Sequence, residues 1–293
     1  MNTATEAQSS PKSQPARDLP CKHLGLFAGE GELPLHIVKK ALSWGLPITT
    51  YTNEGKTYKA LVELLGKERV RKISIGQLDR NYKLIKSDGV DALTCAGKVN
   101  KWVFLKNLNM DKRALGIFRR IVERSDDQIM LHLIEDVESE GFKVLPQKLF
   151  LDELLIAPGL YSHRQPSDEE SRDIEMGLQT ACEIARLDIG QSAVVSNRMV
   201  IALEAIEGTD QMIERCGKFL KKNGGVLAKV EKPNQDERFD IPTVGPRTLH
   251  AMKKAGLHIL AIEAKKTLVL DLDDLVRQAN KWKMIVIAHE IER

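Results

Sequence analysis

The stretch AKVEKPNQDERFDIPTVGPRT, residues 228–248, sets Lys229, Lys232, Asp236, Arg238, Asp240 and Arg247 among Pro233, Pro242, Gly245 and Pro246. Carboxylates beside fixed cations suit phosphoryl chemistry: a carboxylate serves a metal or a water, and the cations counter phosphate oxygens. Pro233 and Pro242 argue against an interior helix between them. An extended QDERFD would put Asp236, Arg238 and Asp240 on one face. At ~3.3 Å per residue, Asp236 and Asp240 would then stand about 13 Å apart, too far for one ion unless the chain bends. One of the two is therefore expected to be catalytic or metal-bound, and the other to orient Arg238 or Arg247. Charges that merely face water are the competing reading.

A second group, EAIEGTD, carries Glu204, Glu207, Thr209 and Asp210. Glu207 and Asp210, between a strand end and a helix start, suit a hard cation such as Mg²⁺. Asp210 alone reads better as a carboxylate favoured by the helix dipole. A third group is glycine-rich. FAGEGELP, residues 27–34, has Gly29 and Gly31 between a strand and a helix, an arrangement that can cradle an anion. The third glycine of the dinucleotide fingerprint is replaced by Pro34, which suits the first turn of a helix. Gly76 and Gln77, then Gly97 and Lys98, also follow predicted strands. Ligands of open parallel sheets sit beyond the carboxyl ends of strands, so these residues would share one rim with Gly29 and Gly31. Ordinary turn chemistry explains any one of them singly. The chain lacks a GxxxxGK[ST] nucleotide loop and an HExxH zinc motif.

The elements that must position these residues alternate. CKHLGLFAG, LPITTYTNEG, VRKISIG and VDALTCAGKV read as strands. LPLHIVKKALSWG and QLDRNYKLIKSDG read as helices, and a longer helical stretch spans residues 113–141 before the short strand KVLPQ. This is the βαβ signature of a parallel sheet. After a proline- and glycine-punctuated stretch, a helix over 173–188 precedes two strands joined at Ser196-Asn197-Arg198. A helix follows, with Thr209 as N-cap and Gly224 as its stop. GVLAKVEK, HILAIEAKKTLVLD and MIVIAHE supply further strands, and PRTLHAMKKAG and LDDLVRQANKWK further helices. The expectation is a Rossmann-like N-terminal α/β domain over 21–155, a linker over 156–170 and a distinct C-terminal α/β domain over 171–293. The polar, Pro/Ser-rich residues 1–20 read as a disordered tail.

Bulk properties narrow the function. The chain has 293 residues, 42% of them hydrophobic, and a net charge of +3 from 44 Lys+Arg against 41 Asp+Glu. A nucleic-acid binder would carry a marked basic excess, and aromatic residues at 5% weaken base stacking. Four scattered cysteines read as free thiols of a reducing cytosol. No apolar run approaches a membrane span.

GEGELP, GQL, DIGQSAVV, EAIEGTD, KPNQDERFDIPTVGPRT and TLVLD, in this order over residues ~24–288, resemble the LpxI family of UDP-2,3-diacylglucosamine pyrophosphatases of lipid A biosynthesis. The resemblance implies Mg²⁺-assisted hydrolysis, with Mn²⁺ as the alternative metal, giving UMP and 2,3-diacylglucosamine 1-phosphate. It implies substrate held between two domains, a homodimer, and a cytoplasmic enzyme peripheral to the inner membrane face. Asp236 matches the family's catalytic aspartate, and Asp240 and Arg238 complete the implied catalytic set. Asp236, Glu207 and Asp210 are the metal candidates. Lys229, Lys232, Gln235 and Arg247 would meet the substrate, with Thr209, Thr243, Gly245 and Thr248 shaping a backbone pocket. Gly29, Gly31, Gln77, Gly97 and Lys98 would line the other domain. The competing functions are a nucleotide-sugar transferase or epimerase-like enzyme and a non-catalytic nucleotide sensor.

Overall fold

The computed structural model describes residues 19–53, 55–98, 110–121, 126–220 and 224–292. The expected tail therefore lies almost wholly outside the described residues. The chain forms two compact units, the first mostly from residues up to 143 and the second mostly from 144 onward.

In the first unit a sheet of five strands has the order β3-β2-β1-β4-β5. These are β1 (Leu24–Ala28), β2 (Ile48–Thr52), β3 (Val70–Lys72), β4 (Ala92–Ala96) and β5 (Lys143–Val144). β2 pairs in parallel with both β1 and β3. This is the Rossmann-type order, in which the chain steps outward from β1 on one side and then the other. Helix α1 (Leu33–Ser43) buries Ile37, Val38 and Ala41, spaced for one helical face. Helix α2 (Lys56–Leu65), which the strand-rich reading of its surroundings passes over, buries Thr57, Leu61 and Leu65 one turn apart. Helix α3 (Leu78–Ser87) follows β3. Among the described residues the long helical stretch supplies α4 (Lys112–Ile121) and α5 (Asp126–Ser139).

The second unit opens with the short helix α6 (Lys148–Leu151) and then β6 (Gly159–Leu160). Its six-stranded sheet has the order β6-β13-β11-β9-β7-β8, with β7 (Ser192–Ser196), β8 (Met199–Leu203), β9 (Val226–Lys229), β11 (Ile259–Glu263) and β13 (Ile285–His289). β11 lies parallel between β9 and β13, while β6 and β7 run antiparallel to their neighbours β13 and β9. A separate parallel pair joins β10 (Thr243–Val244) to β12 (Leu268–Val269). The stretch read as a linker thus supplies an edge strand. It also supplies Ser167, which caps α7 (Asp168–Arg186) in a reciprocal box with Glu170.

Helices cover both faces of this sheet, so its strands read as unbroken apolar runs. α7 packs Ile174, Leu178 and Ala181 against Val226, Ala228 and Ala261. On the other face α8 (Thr209–Cys216), α9 (Pro246–Ala255) and α10 (Leu272–Lys281) bring Met212, Leu249 and Leu275 onto Leu227, Leu260 and Val286. Strand alternation therefore points Lys229, two residues after Leu227, toward the α8–α10 side. The β7–β8 turn takes left-handed backbone at both Asn197 (φ 51) and Arg198 (φ 58), the type I′ geometry of a tight hairpin. The Asp173 carboxylate accepts both their N–H groups, at 2.8 and 2.7 Å.

Two details of α8 differ from expectation. Gly208 holds the N-cap position, with no side-chain cap, and Thr209 is the first helical residue. The Thr209 hydroxyl has stronger partners elsewhere, described below. The helix stops at Cys216 rather than near Gly224, and its C-cap Gly217 abuts α9: a Cβ there would lie 3.1 Å from the Ala255 Cα.

Candidate functional site

In the first unit, the glycines at the carboxyl ends of β1 and β4 meet one another. Glu30 and Lys98 exchange backbone hydrogen bonds of 2.9 and 2.8 Å. A Cβ on Gly29 would stand 2.7 Å from the Lys98 carbonyl oxygen, and one on Gly97 would stand 2.8 Å from the Glu30 carbonyl oxygen. Gly97 also has φ +92, which L side chains rarely adopt. Close backbone approach therefore accounts for Gly29 and Gly97. Gly31 (φ +113) has open space where a Cβ would sit. Gln77, at the N-cap position of α3, accepts a hydrogen bond from Arg80 at 3.1 Å and does not cap the helix. The α3 cap comes instead from Asp111, which the sequence reading missed: it accepts from the N–H of Asp79 and of Ala114, both at 2.8 Å.

In the second unit, β9 is the turning point of the sheet. The chain reaches it from β7 and β8 on one side and leaves toward β11 and β13 on the other. Ligands of open α/β sheets bind beyond strand carboxyl ends at such a point. Lys229 ends β9 and is 6% exposed. Its ammonium donates to the Thr209 hydroxyl at 2.8 Å, and that hydroxyl donates to Glu204 Oε1 at 2.8 Å. Two residues on, the buried Glu231 accepts from Lys266 at 2.8 Å, while its N–H donates to the buried carboxylate of Glu263, at the end of β11, at 2.8 Å. The bond to Glu231 raises the Lys266 ammonium pKa above its ordinary value. His289 ends β13 opposite Glu263, and burial lowers its pKa. Glu231, Glu263, Lys266 and His289 were not singled out in the sequence. Their signal was a charged or imidazole side chain closing, or just beyond, an apolar strand run.

The chain then enters the 232–242 loop, which is not extended. The Asp236 carboxylate accepts the Arg238 N–H at 2.9 Å, and the Asp240 N–H donates to the Asp236 carbonyl at 3.0 Å. The segment therefore folds back, and the 13 Å separation of an extended strand does not arise. Asp236 also takes a two-pronged pair from Arg238, Nε to Oδ1 at 2.9 Å and Nη2 to Oδ2 at 2.6 Å. Burial opposes ionisation of Asp236, but the side-chain and backbone hydrogen bonds and the charge of Arg238 outweigh it and hold the carboxyl below the usual carboxylate range. Asp240 accepts from the Gln235 amide. Lys232 pairs with Asp188 at 2.7 Å.

Past the loop, α9 begins at Gly245–Pro246, with the Gly245 N–H donating to Thr248 Oγ1 at 3.3 Å. The Thr243 hydroxyl donates to its neighbour carbonyl, that of Ile241, at 3.0 Å. Arg247 is exposed in the first turn of α9. α8 leads into β9 and α9 into β11, two strands that run parallel, so both helices return against the strand direction. Both N-termini therefore lie at the carboxyl edge of the sheet, where their N–H groups and dipoles favour an anion. Lys229 adds a cation there.

The expected three-carboxylate metal set is not assembled. Among the described residues no three His, Cys, Asp or Glu side chains converge to hold a cation. Glu207 is bound by Arg215, at 3.0 and 2.7 Å, and that hydrogen bonding lowers its pKa. Asp210 is exposed on the first turn of α8. Mg²⁺ often takes only one or two protein carboxylates and completes its shell with water and substrate phosphate oxygens; both Asp236 oxygens are taken by Arg238, so this carboxylate could join such a shell only by giving up part of that pair.

A family model described as the LpxI N-terminal domain matches residues 23–154, and one described as the LpxI C-terminal domain matches residues 157–287. The chain is 30% identical over 276 residues to the UDP-2,3-diacylglucosamine pyrophosphatase LpxI of Caulobacter vibrioides, covering 91% of this chain and 97% of that relative.

Proposed function

The chain belongs to the LpxI family, and on that premise we propose that it hydrolyses the pyrophosphate of UDP-2,3-diacylglucosamine. Water attacks the uridine-side phosphorus, the bridging P–O bond breaks, and the products are UMP and 2,3-diacylglucosamine 1-phosphate. The observation that carries this reading is the Asp236–Arg238 pair in a proline-bounded loop leaving the carboxyl end of β9.

Asp236 stays ionised well below neutral pH, so it suits orienting water or holding a cation better than storing a proton. Lys229, Arg238 and Arg247 counter phosphate charge, and the N–H groups opening α8 and α9 receive phosphate oxygens. Gln235 and Lys232 fix the loop's entry, through the Lys232 N–H donating to Gln235 Oε1 at 2.8 Å. Asp240, held by Gln235, keeps the returning limb in place. Once Arg238 turns from Asp236 to the substrate diphosphate, the freed carboxylate would hold Mg²⁺, or Mn²⁺ in its stead. When bound, it would withdraw charge from the phosphates.

No helix among the described residues is long and apolar enough to cross a membrane. The diacyl substrate makes peripheral association with the cytoplasmic membrane face part of the proposal, as is a homodimer. The test is incubation of purified protein with UDP-2,3-diacylglucosamine and Mg²⁺, without any acceptor. UMP release supports the hydrolase. UDP release only with an added acceptor would identify a sugar transferase, and binding without turnover a sensor.

A further inference from the structure

Glu204, Ser192 and Lys229 form one cross-strand row. Ser192 lies opposite Lys229 in the β7–β9 register, and Ala193 opposite Leu203 in the β7–β8 register, which brings Glu204 level with Ser192. The Glu204 N–H confirms the alignment by donating to the Ser192 carbonyl at 2.9 Å. Residues opposite one another point to the same face, here the α8–α10 side. The row is almost sealed from water: Ser192 is 0%, Lys229 6% and Glu204 7% exposed. Buried polar groups are costly unless partnered, and this row replaces the apolar residues that otherwise fill these strands. Among the described residues, two of its atoms, Glu204 Oε2 and Ser192 Oγ, have no hydrogen-bond partner. A row serving stability alone would be better filled by apolar side chains of similar size.

The arrangement has a direction. Thr209 has one hydroxyl hydrogen, given to Glu204 Oε1, so its oxygen lone pairs are left to face the Lys229 ammonium. Glu204 thereby fixes the rotor of a hydroxyl that in turn fixes a lysine. Close packing fixes the Glu204 main chain: a Cβ on Gly190 would lie 2.2 Å from the Glu204 carbonyl oxygen, so only glycine fits beside it.

We propose that Glu204 is a positioning residue which, through Thr209, aims the Lys229 ammonium at a phosphate of the bound nucleotide, with Ser192 completing the same buried row. This deepens the diphosphate reading and rests on it. Lys229 touches the anion; Glu204 and Thr209 act through Lys229.

The test uses the full chain and UMP as probe, with UMP affinity measured by calorimetry, thermal unfolding measured in parallel, and turnover assayed separately. Thr209→Val keeps the shape and removes the relay, and should weaken UMP binding about tenfold. Thr209→Ser keeps the hydroxyl and should bind within about threefold of the unaltered protein. Glu204→Gln combined with Thr209→Val should bind no more weakly than Thr209→Val alone, because both act on one lysine. Equal loss in Thr209→Ser and Thr209→Val, additive losses in the double variant, or unweakened binding in Thr209→Val overturns the proposal. If the Gln variant does not fold, the Val and Ser pair still decides. Unaltered protein that binds UMP but releases none from UDP-2,3-diacylglucosamine refutes the hydrolase reading while leaving the relay standing. Unaltered protein that binds no UMP overturns the relay.

Discussion

The carboxyl rims of the two sheets occupy equivalent places in their units and are built from opposite materials. The first unit's rim is mostly backbone: Gly29 and Gly97 let two loops come within hydrogen-bond distance across Glu30 and Lys98. The second unit's rim is charge: Lys229, Glu204, Glu231 and Glu263 are buried at or just past strand ends, and Asp236 is locked to Arg238 just beyond. One topological rule places both rims. What differs is the cost of error. A backbone contact tolerates no added atom but is indifferent to charge, whereas a buried ion network tolerates small changes of shape but not the loss of a partner.

That contrast can be broken most sharply at Asp236. Asp236→Ala should leave circular dichroism unchanged and lower turnover ~10²-fold or more. Near-normal turnover in the folded variant would remove Asp236 from the mechanism. Chelation comes next. Exhaustive EDTA should abolish UMP release and Mg²⁺ should restore it, whereas full activity in EDTA rejects the metal role. Gly97→Ala probes the other rim. With φ +92 and a carbonyl 2.8 Å from the new methyl, it should destabilise the protein by ~1–3 kcal/mol in urea unfolding. An unchanged unfolding midpoint would show that the loops can part without penalty. Arg247→Ala removes an exposed cation and should raise KM only several-fold, with kcat nearly constant; a dominant loss in kcat would give Arg247 a role in the transition state.

The smallest effect is on acid stability. The native pKa of Asp236 lies below its ordinary value, so its pairing stabilises the fold above that ordinary value and is lost as pH falls through the native one. Asp236→Asn should therefore be less stable than the unaltered chain at neutral pH, by up to ~1 kcal/mol, with the gap closing only as the pH falls below the ordinary aspartate pKa of 3.8. A gap of constant size across that range would mean the ion pair contributes nothing.

Both α/β units were legible because LGLFA in the first and VLAKV, ILAIE and IVIAH in the second are largely buried strands, whose apolar runs survive as sequence pattern. The fold-back at Asp236 was not. It depends on a carboxylate accepting an N–H two residues on, a contact that leaves no periodicity. Thr209 looked like an N-cap because nothing local reveals that its hydroxyl is claimed by Glu204 and by a lysine 20 residues further along. Gly29 and Gly97 drew notice as ligand loops, but their mutual contact spans most of the first unit's sequence. The Glu204–Ser192–Lys229 row needs strand register, which the sequence leaves open.

The two-residue strand β6 has a consequence for how this chain behaves when cut. It lies along β13, pairing Leu160 with Ile287 and Gly159 with Ala288, and so covers the outer side of that strand. An uncovered edge offers its unpaired N–H and C=O groups as a template for another chain. At the far side of the sheet, β8 is the edge, and its register with β7 shifts between Val194 and Val195, a local distortion of the kind that discourages strand addition. A C-terminal fragment begun at residue 160 splits β6 and bares β13, inviting self-association. One begun at residue 144 carries its own edge guard and should stay monodisperse.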